Sequence, residues 1–283
     1  MPSIVVIGSV NLDLVATVDR LPAPGETVTG AELSRFPGGK GANQALAAKR
    51  LGADVTLLAC VGEDAAGEEA LEMLRDEGVE LGDCRFSEDA PTGTALIAVA
   101  PSGENHIVVA PGANRQLTPE SLRLPDVDAL ICQLEVPTET IAAAAATFQG
   151  FFAVNLAPAM HVDVAVLQRA DLVVVNESEA AWYGDSLSAC TGMIATTFGA
   201  AGAVLTKNGE DLARAKPPRI EPVDTTAAGD TFTAALTVAF VEGQAPEQAL
   251  EFACAAGAAA ATKLGAQPSL PTREDVMELI GAD

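Results

Sequence analysis

The sequence predicts an α/β protein: a doubly wound, mostly parallel sheet with helices on both faces, carrying a small second β-sheet. Three observations predict it. Short β-branched runs alternate with Ala- and Leu-rich helical stretches along most of the chain, the pattern of a parallel sheet covered on both sides. Two stretches, Asn11–Pro37 and Pro91–Ala110, break that rhythm with strand-like alternation around Pro/Gly turns. Nearly half of the 283 residues are apolar (49%), enough for one large core.

The elements follow in order. Ile4–Ile7 is a β-branched first strand that ends at Gly8. Leu12–Val18 and Thr27–Phe36 read as strands on either side of the turn Pro22-Ala-Pro-Gly25. Gly41–Leu51 is helical, followed by a strand over Val55–Val61 and a helix over Ala65–Glu77. Thr94–Ala100 and His106–Ala110 flank a turn at Pro101-Ser-Gly103 and repeat the texture of the first irregular stretch. Strand Ala129–Leu134, helix Pro137–Phe148, strand Phe151–Asn155, strand Leu172–Asn176 and helix Glu177–Tyr183 restore the alternation. Two Ala-rich helices, Thr231–Val241 and Pro246–Lys263, close the chain. Ligands of such a sheet bind at the carboxyl ends of its strands.

Charge and composition exclude several classes of function. Sixteen basic against 39 acidic residues give a formal charge of −23, a surface that repels phosphate backbones and anionic lipid, so no nucleic-acid or membrane partner is expected. The acidity fits either an ordinary cytosolic protein or one adapted to molar salt, where screening removes the self-repulsion. Five cysteines (Cys60, Cys84, Cys132, Cys190, Cys254) lie scattered in apolar runs, as suits free thiols in a reducing, cytoplasmic compartment. With only His106 and His161 there is no His/Cys cluster for zinc. The N-terminus lacks the basic region of a signal peptide. The uncharged runs Thr140–Met160 and Ser186–Thr206 are interrupted by Gly, Pro, Asn, Gln or Thr and do not read as membrane spans.

The most informative segment is Asp224-Thr-Thr-Ala-Ala-Gly-Asp-Thr-Phe232. A loop of small residues runs into a helix, whose first backbone N–H groups point outward unpaired and can hold a phosphoryl group. Asp230, where that helix begins, can take a proton from an attacking hydroxyl, or can serve only as an N-cap. Gly38-Gly-Lys-Gly41 suggests a P-loop, but Ser34 stands where the Walker pattern needs its first Gly and Gly41 where it needs Ser or Thr. No GxGxxG follows the first strand, which argues against hydride transfer to a dinucleotide.

Asp224–Phe232 resembles the C-terminal signature D-T-x-x-A-G-D-x-F of the PfkB-type (ribokinase-like) carbohydrate kinases. Phe36-Pro-Gly-Gly-Lys-Gly-Ala-Asn-Gln44 is similar to the family's Gly-Gly-rich N-terminal motif, and Asn176-Glu-Ser-Glu179 stands between them. The resemblance runs from Val6-Ile-Gly-Ser-Val-Asn-Leu-Asp13 to Lys263-Leu-Gly-Ala-Gln-Pro-Ser269. It implies one kinase domain over residues 1–283 with a β-lid formed by about 11–37 and 91–110, and transfer of the ATP γ-phosphate to a sugar hydroxyl. The Gly38-Gly-Lys-Gly-Ala-Asn-Gln44 run and the Asn11/Asp13 pair favour the O5 hydroxyl of D-ribose. Fructose, 2-keto-3-deoxygluconate or a nucleoside remain alternative acceptors, and a non-catalytic sugar-binding protein is the rival outside enzymes.

The resemblance also implies a set of site residues. Asp230 would be the base, with Ala227, Ala228 and Gly229 as the anion hole. Asn11, Asp13, Gly39, Lys40, Asn43 and Glu135 would line the sugar, a mixture of donors and acceptors that polyhydroxylated ligands need. On their own, Asn11 and Asp13 read equally as turn residues, Asn43 as a first-turn helix residue and Glu135 as a helix N-terminal charge. Asn176 and Glu179 would serve Mg²⁺, and Thr197, Gly199, Gly202, Gly229 and Cys254 would lie along ATP. The short span between Glu179 and Thr196 departs from the family and puts the adenine-side wall in question. Asp224, Thr226, Ala260, Lys263, Gly265 and Ser269 would hold K⁺, although Gly265–Pro271 reads equally as a tight turn. Family lids often pair, which implies a homodimer.

Overall fold

The computed structural model describes residues 1–101 and 104–282, so Ser102 and Gly103 of the expected turn lie outside the described residues. The first half runs β1 (Ser3–Ile7), β2 (Asn11–Thr17), β3 (Glu32–Gly38), α1 (Lys40–Arg50), β4 (Asp54–Leu58), β5 (Cys60–Gly62), α2 (Ala65–Asp76), β6 (Arg85–Ser87), β7 (Gly93–Val99) and β8 (Asn105–Ala110). Then come β9 (Ala129–Gln133), α3 (Thr138–Thr147), β10 (Phe151–Asn155), α4 (Val164–Arg169), β11 (Leu172–Asn176) and α5 (Glu177–Tyr183). The chain ends with β12 (Met193–Thr197), β13 (Ala203–Lys207), β14 (Glu210–Ala215), α6 (Ala228–Val241), α7 (Pro246–Ala260), α8 (Ala266–Ser269) and α9 (Arg273–Gly281).

Eight strands form the main sheet in the order β14-β13-β12-β11-β10-β9-β1-β4. Pairing is parallel from β4 to β12, while β13 and β14 are antiparallel. Side chains alternate faces along each strand, so a strand buried on both sides is apolar throughout. In β1, Ile4 and Val6 enter the core beneath α1, α2, α6 and α7, whereas Val5 and Ile7 enter the core beneath α3, α4 and α5. Among the described residues no helix is long and apolar enough to cross a membrane.

The second sheet, β3-β2-β7-β8, is built from the two stretches that broke the helical rhythm. β2 pairs antiparallel with β3 and parallel with β7, and β8 closes the other edge antiparallel to β7. All of β8 is exposed, and Leu33, Leu96, Ile107, Val108 and Val109 hold apolar side chains in solvent. Asp64 ties the base of β7 to the main body by accepting bonds from the Thr92 N–H (2.9 Å) and hydroxyl (2.6 Å).

Several expectations need correction. The strand expected over Val55–Val61 breaks at Ala59, because β5 turns away from β1 to pair with β6 and the Arg85 N–H takes the Ala59 carbonyl. The helix expected from Thr231 begins at Ala228, and the one expected to reach Lys263 stops at Ala260, after which Ala261 O accepts the Val223 N–H. β12, β13, β14, α4 and α9 were not anticipated. The β13–β14 hairpin turns at Asn208-Gly209, both at positive φ (53° and 80°), the Asn-Gly signature of a tight hairpin.

The start of α1 lies almost in van der Waals contact with the chain leaving β1. A Cβ on Gly41 would fall 2.5 Å from Gly8 C and Ser9 N, and one on Gly39 (φ 90°) would fall 2.7 Å from Asn11 N. Alanine at position 41 gains about 1 kcal/mol of helix propensity, but two backbones cannot yield at that distance, so the glycines are needed here. They bring the Gly38–Gln44 motif against the carboxyl ends of β1 and β9.

Candidate active site

At those strand ends α6 and α1 meet. Asp230 lies on the first turn of α6, with a 4%-exposed side chain. Ala227 occupies the N-cap position, so Asp230 is the third helical residue and the N-cap reading of it is wrong. Its carboxylate accepts from Asn43 Nδ2 at 2.9 Å on Oδ2 and from Gln44 Nε2 at 2.9 Å on Oδ1, both from α1. Burial pushes the Asp230 carboxyl above the ordinary range, against the Lys40 ammonium and the two amide donors, with Glu135 adding to the rise.

The three amides expected as an anion hole divide. The Ala228 N–H donates to Thr225 O at 3.2 Å and is occupied. The N–H groups of Ala227, Gly229 and Asp230 donate to no described residue, and a Cβ on Gly229 would meet nothing within 4 Å. The open donors are therefore Ala227, Gly229 and Asp230, on a 14-residue helix whose dipole adds to their attraction for an anion.

The residues expected around a sugar converge in front of this helix end. Asn11 and Asp13 lie in β2, buried, so neither is a turn residue. Asn11 Oδ1 accepts from Asn114 Nδ2 at 2.8 Å, and Asn114 also bonds both main-chain groups of Val10. Glu135 Oε2 accepts from Ser9 Oγ at 2.5 Å and from Lys40 N at 3.2 Å, which closes β1, β9 and α1 into one rim. Asn43 does lie in the first turn of α1, as its bland reading allowed, yet its side chain points to Asp230 and its buried Oδ1 has no partner. Such an orphaned acceptor fits a ligand hydroxyl.

Charge is crowded here. Burial pushes Asp13 up to about 7, with Glu135 and Asp230 adding to the rise and Lys40 opposing it. For Lys40, burial lowers the pKa, but Asp230, Glu135, Glu179 and Asp13 together outweigh it and leave the ammonium above its ordinary value. One cation thus stands among four carboxylates, a site that favours further positive charge and the donors of an incoming ligand.

On the nucleotide side, Asn176 and Glu179 form a capping box at the start of α5. Asn176 Oδ1 accepts the Glu179 N–H and Glu179 Oε2 accepts the Asn176 N–H, both at 2.8 Å. Glu179 is 9% exposed and its carboxyl is raised by burial, while its Oε1 accepts no hydrogen bond from a described residue and is open to a hard cation or its water. The residues fit Mg²⁺ held mainly through Glu179. Gly202 (φ 101°) packs on the Ala215 carbonyl, which lies 2.0 Å from where a Cβ would stand, and the Cys254 thiol points to the same carbonyl at 3.9 Å. Gly199 (φ 55°) turns the loop and Thr197 ends β12, so the four meet along one wall. Cys254, pushed up to about 12 by burial, is a packing thiol and no nucleophile. A cavity of about 630 Å³ lies over β12–β14, lined by Thr196, Val204, Thr206, Arg214 and Lys216 among others, and no residue of the short link between α5 and β12 lines it.

Asp224 joins the two loops expected to hold a cation. Its Oδ1 accepts from the Thr226 N–H and hydroxyl, and its Oδ2 from the Gly265 N–H at 2.9 Å. The carbonyls of Thr226, Ala260 and Lys263 accept no hydrogen bond from a described residue, the Gly265 carbonyl opens α8, and Ser269 Oγ donates to Ala266 O. Residues 266–269 form the short α8, so Gly265–Pro271 is more than a tight turn. Hard carbonyl oxygens held by a carboxylate bridge fit an alkali cation.

Sequence reasoning missed the polar groups behind the site: Ser9, Gln44, Asn114, Gln133 and Asn155. Gln44 belonged to a quoted motif, but only the fold shows which of its neighbours it meets.

A buried carboxylate beside open helix N-terminal amides, facing hydroxyl-binding groups at parallel strand ends, defines a phosphotransferase with an alcohol acceptor. The chain belongs to the pfkB family of carbohydrate kinases, whose model matches residues 1–273. It is 37% identical over 294 residues to a ribokinase of Bacillus subtilis, covering 99% of this chain and all of that one. A ribokinase structure from Thermotoga maritima superposes with a TM-score of 0.91 at 33% identity, over 99% of this chain and 100% of that chain. The Arabidopsis thaliana ribokinase complexed with ribose and ATP gives a TM-score of 0.88 at 30% identity, over 99% and 98% of the two chains.

The position of Asp13 yields a test. Its ordinary value is 3.8 and its folded value about 7, so its contribution to stability is present at low pH and lost as pH rises towards 7. Asp13→Asn should therefore stabilise the ligand-free protein more at high pH. Its advantage over wild type is expected to grow by about 2 kcal/mol between roughly pH 5.5 and 8.5 in denaturant titrations, while sugar affinity falls. An advantage independent of pH would contradict the buried, raised carboxyl.

Proposed function

We propose that this protein transfers the γ-phosphate of ATP to the O5 hydroxyl of D-ribose. The single observation that carries the reading is Asp230, buried beside the open amides of Ala227 and Gly229 and facing Asn11, Asp13, Lys40, Asn43 and Glu135. The full-length likeness to proteins named ribokinase supports ribose over other sugars.

In this reading the sugar binds under the small β2–β3–β7–β8 sheet, which acts as a lid. Asp13, Asn43 and Glu135 accept from or donate to its hydroxyls, and Asp230 takes the proton of the attacking hydroxyl as the new phosphorus–oxygen bond forms. The amides of Ala227 and Gly229 and the α6 dipole hold the charge that develops on the phosphoryl oxygens. A lid excludes water, which competes with the sugar as acceptor. Glu179, helped by Asn176, would hold Mg²⁺, which neutralises phosphate charge; Thr197, Gly199, Gly202 and Cys254 would wall the nucleotide.

Finer features belong to the same reading. The Asp224 loop pair would hold K⁺ and so fix the shape of the loop that carries the amides. The exposed apolar face of the lid would be covered by a second copy in a homodimer. Five free buried cysteines support a reducing compartment, the cytoplasm, and the charge of −23 speaks against nucleic acid and for a salt-rich environment.

Product analysis with pentoses, hexoses and nucleosides should show ribose 5-phosphate formed fastest. Asp230→Asn should lower kcat on the order of 10²- to 10⁴-fold with sugar binding nearly intact, since it removes the proton acceptor and keeps the shape. Near-normal turnover by that variant would exclude Asp230 as the base. At constant high ionic strength, replacing Na⁺ with K⁺ should raise activity, and Asp224→Ala should remove the difference. Equal rates in the two salts would rule out the cation site. Sedimentation and melting across the same salts test the dimer and the salt requirement: a monomer throughout, or full stability at low salt, would reject each in turn.

A further inference from the structure

Behind the proposed base runs a line of buried amides that end on it. Gln133, the last residue of β9, donates from Nε2 to Gln44 Oε1 at 2.8 Å. Gln44 donates from Nε2 to Asp230 Oδ1 at 2.9 Å and towards Asn155 Oδ1 at 3.4 Å. Asn155, the last residue of β10, donates from Nδ2 to the Val174 carbonyl at 3.2 Å. Gln44 and Gln133 are 0% exposed, so neither presents a surface to a bound sugar or nucleotide.

Each member fixes the orientation of the next. The main-chain carbonyl takes the amino group of Asn155, which turns its oxygen towards Gln44. The amino group of Gln133 meets the oxygen of Gln44, which turns the Gln44 amino group onto the carboxylate. Flipping the Gln44 amide would set its carbonyl against Asp230 and its amino group against that of Gln133, two repulsive contacts in place of two bonds. Space for the Gln133 amide exists because residue 8 is glycine: a Cβ there would lie 2.0 Å from Gln133 Oε1.

We infer that Gln44 is a positioning residue for phosphoryl transfer, fixing the plane and direction of the Asp230 carboxylate through a relay anchored by Gln133 and Asn155. With Asn43 on the other oxygen, the carboxylate is held at both ends and cannot rotate about its terminal bond. The inference rests on the reading of Asp230 as the base.

The surrounding charges explain why a fixed donor matters. Asp230 is faced by Lys40 of α1 and Glu135 beyond β9, and it acts on Asp13 of β2 and Glu179 of α5. Three carboxylates therefore oppose one ammonium. Burial raises the Asp230 carboxyl, and the Gln44 and Asn43 donors pull it down. Losing one donor moves it further up, so the acidic limb of kcat/KM shifts to higher pH.

The experiment compares Gln44→Met, Gln133→Met and Asp230→Asn with wild type, measuring kcat per folded enzyme, sugar affinity by calorimetry and the pH profile of kcat/KM. Gln44→Met should lower kcat about tenfold, the scale of one hydrogen bond to a charged group, leave sugar affinity within about threefold, and move the acidic limb upward. Gln133→Met should do the same more weakly, since its amide touches only Gln44. If Asp230→Asn is inactive while Gln44→Met keeps the wild-type kcat and pH profile, this inference fails and the base stands. If Asp230→Asn stays active, the base reading fails first and this one with it. Should Gln44→Met not fold, Gln133→Met decides: a shifted profile sustains the relay, and a wild-type profile overturns it.

Discussion

Everything in this site depends on how one buried carboxylate, Asp230, is held. Water must be kept out because it would accept the phosphoryl group in place of a sugar, but the same exclusion drives a carboxyl towards its neutral form. Around Asp230, burial raises the carboxyl, and the donors Asn43 and Gln44 on its oxygens and the Lys40 ammonium nearby oppose that rise. All three lie on the first two turns of α1. The placement of that one helix therefore sets the surroundings of the proposed base, and it is set by backbone packing between Gly8 and Gly41.

The two halves of the site answer different electrostatic problems. On the sugar side, carboxylates outnumber cations, and the ligand contributes only neutral hydroxyls that can donate to them. On the proposed phosphate side, the protein offers unpaired N–H groups and a helix dipole, with Arg214 and Lys216 in the cavity over β12–β14. Lys40 stands at the boundary between the two. Glu179, half committed to capping α5, leaves one oxygen that would serve the proposed metal ion.

Much of this was legible in the sequence. Strands β10 and β11 and helix α5 were read to the residue because each is short, apolar or capped, and bounded by clear breakers. The small second sheet was visible because its alternation differs from the continuous apolar runs of a sheet buried on both faces. Strands β12–β14 were not, since Thr196, Thr197 and Thr206 dilute the periodicity of β12 and β13, although Asn208-Gly209 announced the β13–β14 hairpin. Asp230, Asn43 and Glu135 came from motif resemblance, and the fold brings them together. Gln133 and Asn155 were invisible for a different reason: each is one polar residue at the end of an apolar stretch, and its partner lies in another element. The occupied Ala228 amide was equally unreadable, because a loop sequence does not say which N–H it turns inward.

A carboxylate pinned at both oxygens is suited to accept a proton and unsuited to swing onto phosphorus and carry the phosphoryl group itself. The stereochemical course of transfer separates these roles most directly. With ATP made chiral at its γ-phosphorus, a single in-line attack by the sugar hydroxyl inverts the configuration, and inversion is the result this account predicts. Retention would require two displacements, with the phosphoryl group passing through Asp230 or another side chain, and would contradict it.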